Sequence, residues 1–286
     1  MLPFFPLSEL PKMSEPKTVF HYTDAQGFLA MTRSRTMWAS CLECLNDERE
    51  FRHGLDLAAH LSSAFVQPDV PHAQERADYL TKLLTGLWGM AIFSCSFSAQ
   101  GDLLSQWRGY CGSGNGYNVG LNLERLKEFC AAHNLILKPC IYDRKEQISA
   151  VRPVLEALFA GDLDDPAVEP LQERLKKASD AAAYMLRDIA PFLKDEAFRE
   201  EEEWRLVSYV WSHEDPRWKV RPGKTTLVSY VDIDFSACPE VFAEVTVGPG
   251  PYSRDKLHFI TVQHMLNIGL GPAAQTRVSK VPYRFW

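Results

Sequence analysis

Glu200-Glu201-Glu202-Glu203-Trp204-Arg205-Leu206-Val207 runs a block of four carboxylates straight into an apolar stretch. Before it, Lys145 to Leu193 reads as helix, interrupted around Gly161 to Pro166, charged on one side and apolar on the other. After it, Glu203 to Trp211 reads as strand. In a strand, alternate side chains share a face, so Glu201, Glu203 and Arg205 point the same way. A carboxylate beside an arginine is kept ionised by charge pairing. It can then hold a sugar hydroxyl or stabilise a cationic, oxocarbenium-like transition state. The other reading of the four glutamates is a solvated helix end.

Working outward, strand-like runs fall at Thr18 to Tyr22, Met37 to Cys41, Met90 to Ser96, Tyr117 to Leu121, Ile136 to Tyr142, Thr225 to Ile233, Val241 to Val247 and Thr276 to Trp286. Helical spacing predicts helices from Asp24 to Thr32, over Asn46 to Ala64 with Phe51, Leu55, Ala58 and Leu61 on one face, and up to about Leu87. Further helices are predicted at Leu103 to Tyr110, Leu123 to His133 behind an Asn122 cap, and Ser253 to Asn267. Strands and helices do not alternate strictly. The expected class is therefore α+β, with a mostly antiparallel sheet and a helical insertion over 145–193. Pro3, Pro6, Pro11 and Pro16 mark 1–16 as an extended arm, leaving 17–286 as one domain.

Composition narrows the function classes. Net charge is -6, which argues against broad charge-driven binding of nucleic acid. The seven cysteines are scattered and odd in number, unlike a secreted disulfide framework. The N-terminus is a poor signal peptide, and no stretch approaches the roughly 18 apolar residues of a membrane helix. These features predict a soluble cytoplasmic protein with reduced thiols and no membrane partner. Cys41-x-x-Cys44 lacks a second pair, so no metal is expected. His53 and His60 lie two helical turns apart and read as packing or surface residues. A Gly-x-Ser-x-Gly nucleophile elbow is missing. Arg217, Lys219, Arg221 and Lys224 read as a solvated hairpin or as contacts to phosphate.

Three further segments place polar groups in apolar surroundings. His21-Tyr22 ends a strand, where a His can donate to a sugar hydroxyl and a Tyr can stack on a flat ring. An edge strand with a surface His is the alternative. Ser94, Ser96 and Ser98 share one strand face, as a polar pocket wall or as a half-exposed edge. Gly112 to Gly116 could bring backbone amides to a phosphate, yet it follows a helix and precedes a strand, so it reads as a plain turn.

Several of these pieces, in order along the chain, resemble the DUF2971 family. They are His21-Tyr22-Thr23, Trp38-Ala39-Ser40, Leu45-Asn46-Asp47-x-x-Glu50, Ser96-Phe97-Ser98 and Leu104-x-x-Trp107-x-x-Tyr110. Gly116-Tyr117-x-Val119-Gly120, Lys194-x-x-x-Phe198-x-x-Glu201-x-Glu203-Trp204-Arg205, Val247-Gly248-Pro249 and Ser279-x-x-Pro282-Tyr283-Arg284 complete the set. The order His-Tyr, serine-bearing strand, Glu-bearing strand is also similar to the His-Tyr-Glu pattern of diphtheria-toxin-like and PARP-like ADP-ribosyltransferases. That resemblance implies a split sheet and NAD as substrate. It makes His21 the ribose binder and Glu203 the catalytic carboxylate, with Glu201 next in line. Tyr22 or Tyr110 would stack, and Ser96 and Ser98 would support the nicotinamide end. Thr23, Trp107 and Arg205 complete the binding set; Trp107, like Asn46-Asp47, could instead pin a loop around the cleft.

The implied activity is ADP-ribosyl transfer from NAD to a protein, a nucleic acid or water, as in a toxin or phage-defence effector. A non-catalytic nucleotide or nucleic-acid sensor and a nucleotide or phosphoester hydrolase are the competing readings.

Overall fold

The structure is a computed structural model of the chain. It describes residues 15–44, 50–86, 92–111, 114–160, 170–210, 212, 214–223, 226–271 and 274–283. The arm before residue 15, Asn46-Asp47, Gly112-Ser113 of the loop at 112–116, the interruption at 161–166, Lys224 and Arg284 lie outside the described residues.

The chain divides into two compact units. The first is helical and is assembled from the described residues of 42–90 and 140–198. The helices expected over 145–193 form one part of it; the other part comes from 42–90. The second unit holds 14–41, 91–139 and 199–286, and carries the sheet.

In the helical unit, α2 (Glu50–Ser62), α3 (Ala73–Gly86), α6 (Arg144–Ala160) and α7 (Leu171–Ile189) pack together. Phe51, Leu55 and Ala58 of α2, Leu80 and Leu84 of α3, Leu155 and Leu158 of α6, and Leu186 of α7 are buried, as their helical spacing dictates. Two buried polar side chains lock the unit. Arg76 donates through Nη1 to the Leu158 carbonyl at 2.6 Å. Gln147 donates to the carbonyls of Ile141 and Lys194 at 2.8 Å, and its Oε1 meets His53 Nε2 at 3.2 Å. His53 is thus a packing residue.

The sheet unit contains α1 (Ala25–Ser34), α4 (Leu104–Tyr110), α5 (Leu123–Ala132) and α8 (Arg254–Asn267). Asp24 and Asn122 cap α1 and α5 through side-chain oxygens that accept from Gly27 N and Arg125 N. The strands are β1 (Thr18–Thr23), β2 (Thr36–Cys41), β3 (Ile92–Ser98), β4 (Tyr117–Asn122), β5 (Ile136–Pro139), β6 (Glu203–Tyr209), β7 (Lys219–Pro222), β8 (Leu227–Asp234), β9 (Phe242–Val247) and β10 (Gln275–Val278). They make one open sheet in which all pairs but β9–β10 are antiparallel. The mixed class and antiparallel pairing agree with the sequence expectation. Two strands are shorter than expected. β5 stops at Pro139, whose ring removes a ladder donor, and β10 ends at Val278 rather than running through the tail.

β3 organises the sheet. One of its edges is paired to β6 along its whole length, from Ile92↔Tyr209 to Ser98↔Glu203. The other edge is shared. β2 pairs there at Ser40↔Ser94 and Cys41↔Phe93, whereas β1 pairs only at Phe20↔Ser98. Between those points, around Ser96, the two neighbours part.

Two glycines on helices contrast. A Cβ at Gly54 in α2 would stand 2.8 Å from the backbone Cα of Ala190, whereas one at Gly109 in α4 would meet nothing within 4 Å. Gly54→Ala should cost about 1–3 kcal/mol through overpacking against backbone. Gly109→Ala should gain about 0.5–1 kcal/mol of helix stability. Denaturant melts of the two variants check this; equal shifts would contradict the described packing.

Candidate functional site

Where β1 and β2 part from β3, the sheet unit opens into a pocket of about 350 Å³, counting its mouth. Phe20, His21, Tyr22, Ser96, Phe97, Ser98, Gln106, Tyr110, Glu201 and Glu203 line it. Its enclosed space is only about 50 Å³, well below the roughly 300–1,000 Å³ of sites that engulf a whole small molecule. The structure thus brings together seven of the expected residues: His21, Tyr22, Ser96, Ser98, Tyr110, Glu201 and Glu203. Thr23, Trp107 and Arg205 do not line the pocket.

His21 sits across the gap in the β3 edge. Its Nδ1 lies 2.9 Å from the Ser96 carbonyl oxygen. A carbonyl only accepts, so Nδ1 carries the hydrogen, and in the neutral ring Nε2 is left with its lone pair. Burial pushes the imidazole below its ordinary value of 6.5, while the hydrogen bond to Ser96 acts the other way. The ring edge also rests against Phe97. His21 is therefore poised as an acceptor for a ligand hydroxyl.

Cys95 Sγ lies 3.9 Å from the same Nδ1. Burial, then the proximity of Cys130 and Glu203, drives its thiol far above the usual range. Cys95 thus stays protonated and is a poor nucleophile.

Tyr22 is a pin. Its hydroxyl donates to the Gln100 carbonyl at 2.6 Å and accepts from Leu103 N at 3.0 Å, and its ring meets Trp107 edge-on at 4.6 Å. Burial raises its hydroxyl well above the ordinary phenol range. Tyr110, 47% exposed at the pocket, is the better placed ring for stacking.

On β6, Arg205 grips Glu203 with both prongs: Nε donates to Oε1 at 2.8 Å and Nη2 to Oε2 at 3.1 Å. Glu203 is 4% exposed and Arg205 wholly buried. The register places Ser98 opposite Glu203 and Ser96 opposite Arg205, so these four side chains share one sheet face. Ser94 points the same way, and its hydroxyl is buried with no partner among the described residues.

Glu201 reaches the pocket by a different route from the expected one. It ends a short 3₁₀ helix, Glu196–Glu201, and Glu202 takes a left-handed φ of 41° before β6 begins. The strand alternation therefore does not extend back to Glu201. The Glu201 carbonyl accepts from Ser98 Oγ at 2.7 Å, and the Glu202 carbonyl from Ala99 N at 3.0 Å, which ties the turn to the end of β3.

The three residues outside the pocket support it. Trp107 is fully buried, and its Nε1 donates to Asp102 Oδ1 at 2.8 Å. Asp102 also accepts from Ser279 Oγ at 2.5 Å and Lys280 N at 2.7 Å. A Cβ at Gly248 would come within 2.7 Å of the Trp107 ring, so glycine there lets the indole seat. Thr23 offers its carbonyl to Cys111 Sγ at 3.5 Å. Arg205 acts through Glu203.

Sequence reasoning missed Gln106. It is 7% exposed and forms part of the pocket wall. A polar residue beside two leucines on a short helix gives no signal until burial is known.

With this geometry in hand, the comparisons with known proteins can be placed. Residues 106–206 match the family model DUF2971, described as a protein of unknown function. The span holds Gln106, Trp107, Tyr110, Glu201, Glu203 and Arg205; His21-Tyr22-Thr23 and Ser96-Phe97-Ser98 precede it. No curated protein and no solved structure matches the chain. Among the described residues no cluster of three or more His, Cys, Asp or Glu could hold a metal ion, and no helix is long and apolar enough to cross a membrane.

The depressed His21 sets a pH signature. Its value in the unfolded chain is about 6.5, above its folded value, so the unfolded chain protonates first and stability rises with pH in that window. His21 contributes its full stability above that pH and loses it as pH falls towards the folded value. In His21→Asn, the fall in Tm between about pH 6.5 and 5 should be shallower than in wild type. An unchanged slope would show that His21 is not buried as described.

Proposed function

We propose that the pocket holds the nicotinamide-ribose end of NAD and that the protein transfers ADP-ribose from it. One observation carries this reading: the adjacent His21 and Tyr22 and the sequence-distant Glu203 line a single pocket.

The residues divide the work as follows. His21 Nε2 accepts from a ribose hydroxyl. A carboxylate has about four acceptor positions; the Arg205 fork takes two, and Glu203 can offer another to a second ribose hydroxyl. Tyr110 covers the nicotinamide ring. The bond between ribose C1′ and the nicotinamide nitrogen breaks, and its electron pair leaves on the nitrogen. The carboxylates of Glu203 and Glu201 stabilise the cationic sugar. The acceptor's nucleophile then gives its electron pair to C1′ and loses a proton, which Glu201, the second carboxylate lining the pocket, takes up. The products are ADP-ribosylated acceptor and neutral nicotinamide.

A second reading is binding without turnover. It is favoured by the depth of Glu203 and its two-pronged capture by Arg205, which leaves little of the carboxylate for chemistry.

Incubation with NAD, with and without cell extract as a source of acceptor, tests the first reading through nicotinamide release. Glu203→Gln should lower the rate by at least about 100-fold. Gln keeps an oxygen for Arg205, and a Tm within a few degrees of wild type would show that the loss is chemical and not a collapse of the buried pair, whose breakage costs about 3–5 kcal/mol. NAD left intact by the wild-type protein under both conditions would remove the transferase reading, and binding of labelled NAD alone would favour the second.

A further inference from the structure

The amide of Gln106 has no role in the scheme above. The residue is more than nine-tenths buried, and none of the hydrogen bonds among the described residues involves its side chain. Its neighbours found other solutions. Tyr22 hydroxyl is satisfied at both its positions, Trp107 by Asp102, and Ser98 by Glu201 and Gln100. The side-chain nitrogen and oxygen of Gln106 are not sealed from open space, so water or a ligand can satisfy them there. The open space that Gln106 adjoins is the pocket.

We infer that Gln106 is a specificity residue that reads an amide edge on the ligand. A primary amide offers one acceptor and a donor side by side. Its complement is another group with a donor beside an acceptor, joined through two parallel hydrogen bonds. Such an edge is carried by a primary carboxamide on an aromatic ring, as in nicotinamide, and by nucleobases, for example the ring N–H beside a carbonyl of a pyrimidine. Carboxylates and ketones of the same shape lack the donor. Neither carboxylate of the pocket can replace Gln106 in this, because an ionised carboxylate only accepts. Through its nicotinamide arm the inference rests on the NAD reading; the recognition itself does not need turnover.

The test is binding to the full-length protein by calorimetry or ligand-observed NMR, with four neutral probes: nicotinamide, 3-acetylpyridine, 1-methyluracil and 1,3-dimethyluracil. The wild-type protein should prefer nicotinamide over 3-acetylpyridine, or 1-methyluracil over 1,3-dimethyluracil, by at least about tenfold. In Gln106→Leu that preference should fall to about unity, with Tm within a few degrees of wild type. Gln106→Met keeps the length of the side chain without its amide donor and acceptor and should likewise abolish the preference. It also serves should the leucine variant not fold.

Preference for nicotinamide lost in both variants supports the inference together with the NAD reading. Preference for 1-methyluracil alone, lost in both variants, supports the inference and removes nicotinamide as the occupant. Equal binding of each pair by the wild-type protein, or a preference that survives both variants, overturns the role of Gln106 while leaving NAD cleavage to be judged by its own assay. Failure of the wild-type protein to bind any of the four probes overturns it as well.

Discussion

The carbonyl oxygen of Ser96 lies where two strands leave the same edge of β3, and a backbone acceptor stripped of its ladder partner has to find a donor or bear the cost of burial. His21 supplies that donor from its side chain. Much of the site follows from this one substitution of an imidazole for a strand. It fixes the tautomer, holds the ring in a dry setting that disfavours its charged form, and leaves the gap between β1 and β2 unfilled. On the opposite edge of β3 the unbroken pairing with β6 keeps the Glu203–Arg205 pair at a set register beneath the gap. The pocket is thus a defect in a sheet, rigid on one side and open on the other.

The surroundings are built to keep that defect from closing. Tyr22 is tied by its hydroxyl to the backbone on both sides of the turn after β3, and its ring leans on Trp107. Trp107 is anchored by Asp102, and Gly248 gives the indole the space it occupies. These groups hold the floor without offering chemistry of their own. The buried ion pair on β6 plays a comparable part: an arginine sealed from water is tolerable only with its carboxylate in place, so position and charge at Glu203 are coupled.

The strands were readable because their periods are short and their residues apolar. Ser94, Ser96 and Ser98 share a face, and Glu203 and Arg205 lie on that same face as the cross-strand partners of Ser98 and Ser96. The cap residues Asp24 and Asn122 announced their helices for the same local reason. What failed to show was anything decided by a single backbone angle or by distant packing. The glutamate run looked like a continuous strand face, yet the left-handed turn at Glu202 ends that pattern, and Glu201 arrives at the pocket from a 3₁₀ helix. Trp107 stood in the binding set with pinning a loop as its alternative, and it is interior. Gln106 went unnoticed because hydropathy marks Leu103 and Leu104 as the buried residues of that helix, whereas the fold buries Gln106 and Trp107 instead. Nor could the chain order reveal that 42–90 joins 140–198 in one helical unit, since such a union rests on contacts across a hundred residues.

The carboxylate of Asp102 carries an implication for biosynthesis. Its three donors are Trp107, five residues on, and the hydroxyl of Ser279 and amide of Lys280, more than 170 residues further along. A nascent chain can form β3, α4 and the early partners of Tyr22 long before the ribosome reaches that last segment. Until Ser279 and Lys280 emerge, the indole beneath the pocket is held by a carboxylate that faces water on two of its three sides. The anchor of the indole is therefore complete only once the segment at Ser279-Lys280, made well after Asp102, has folded back onto it.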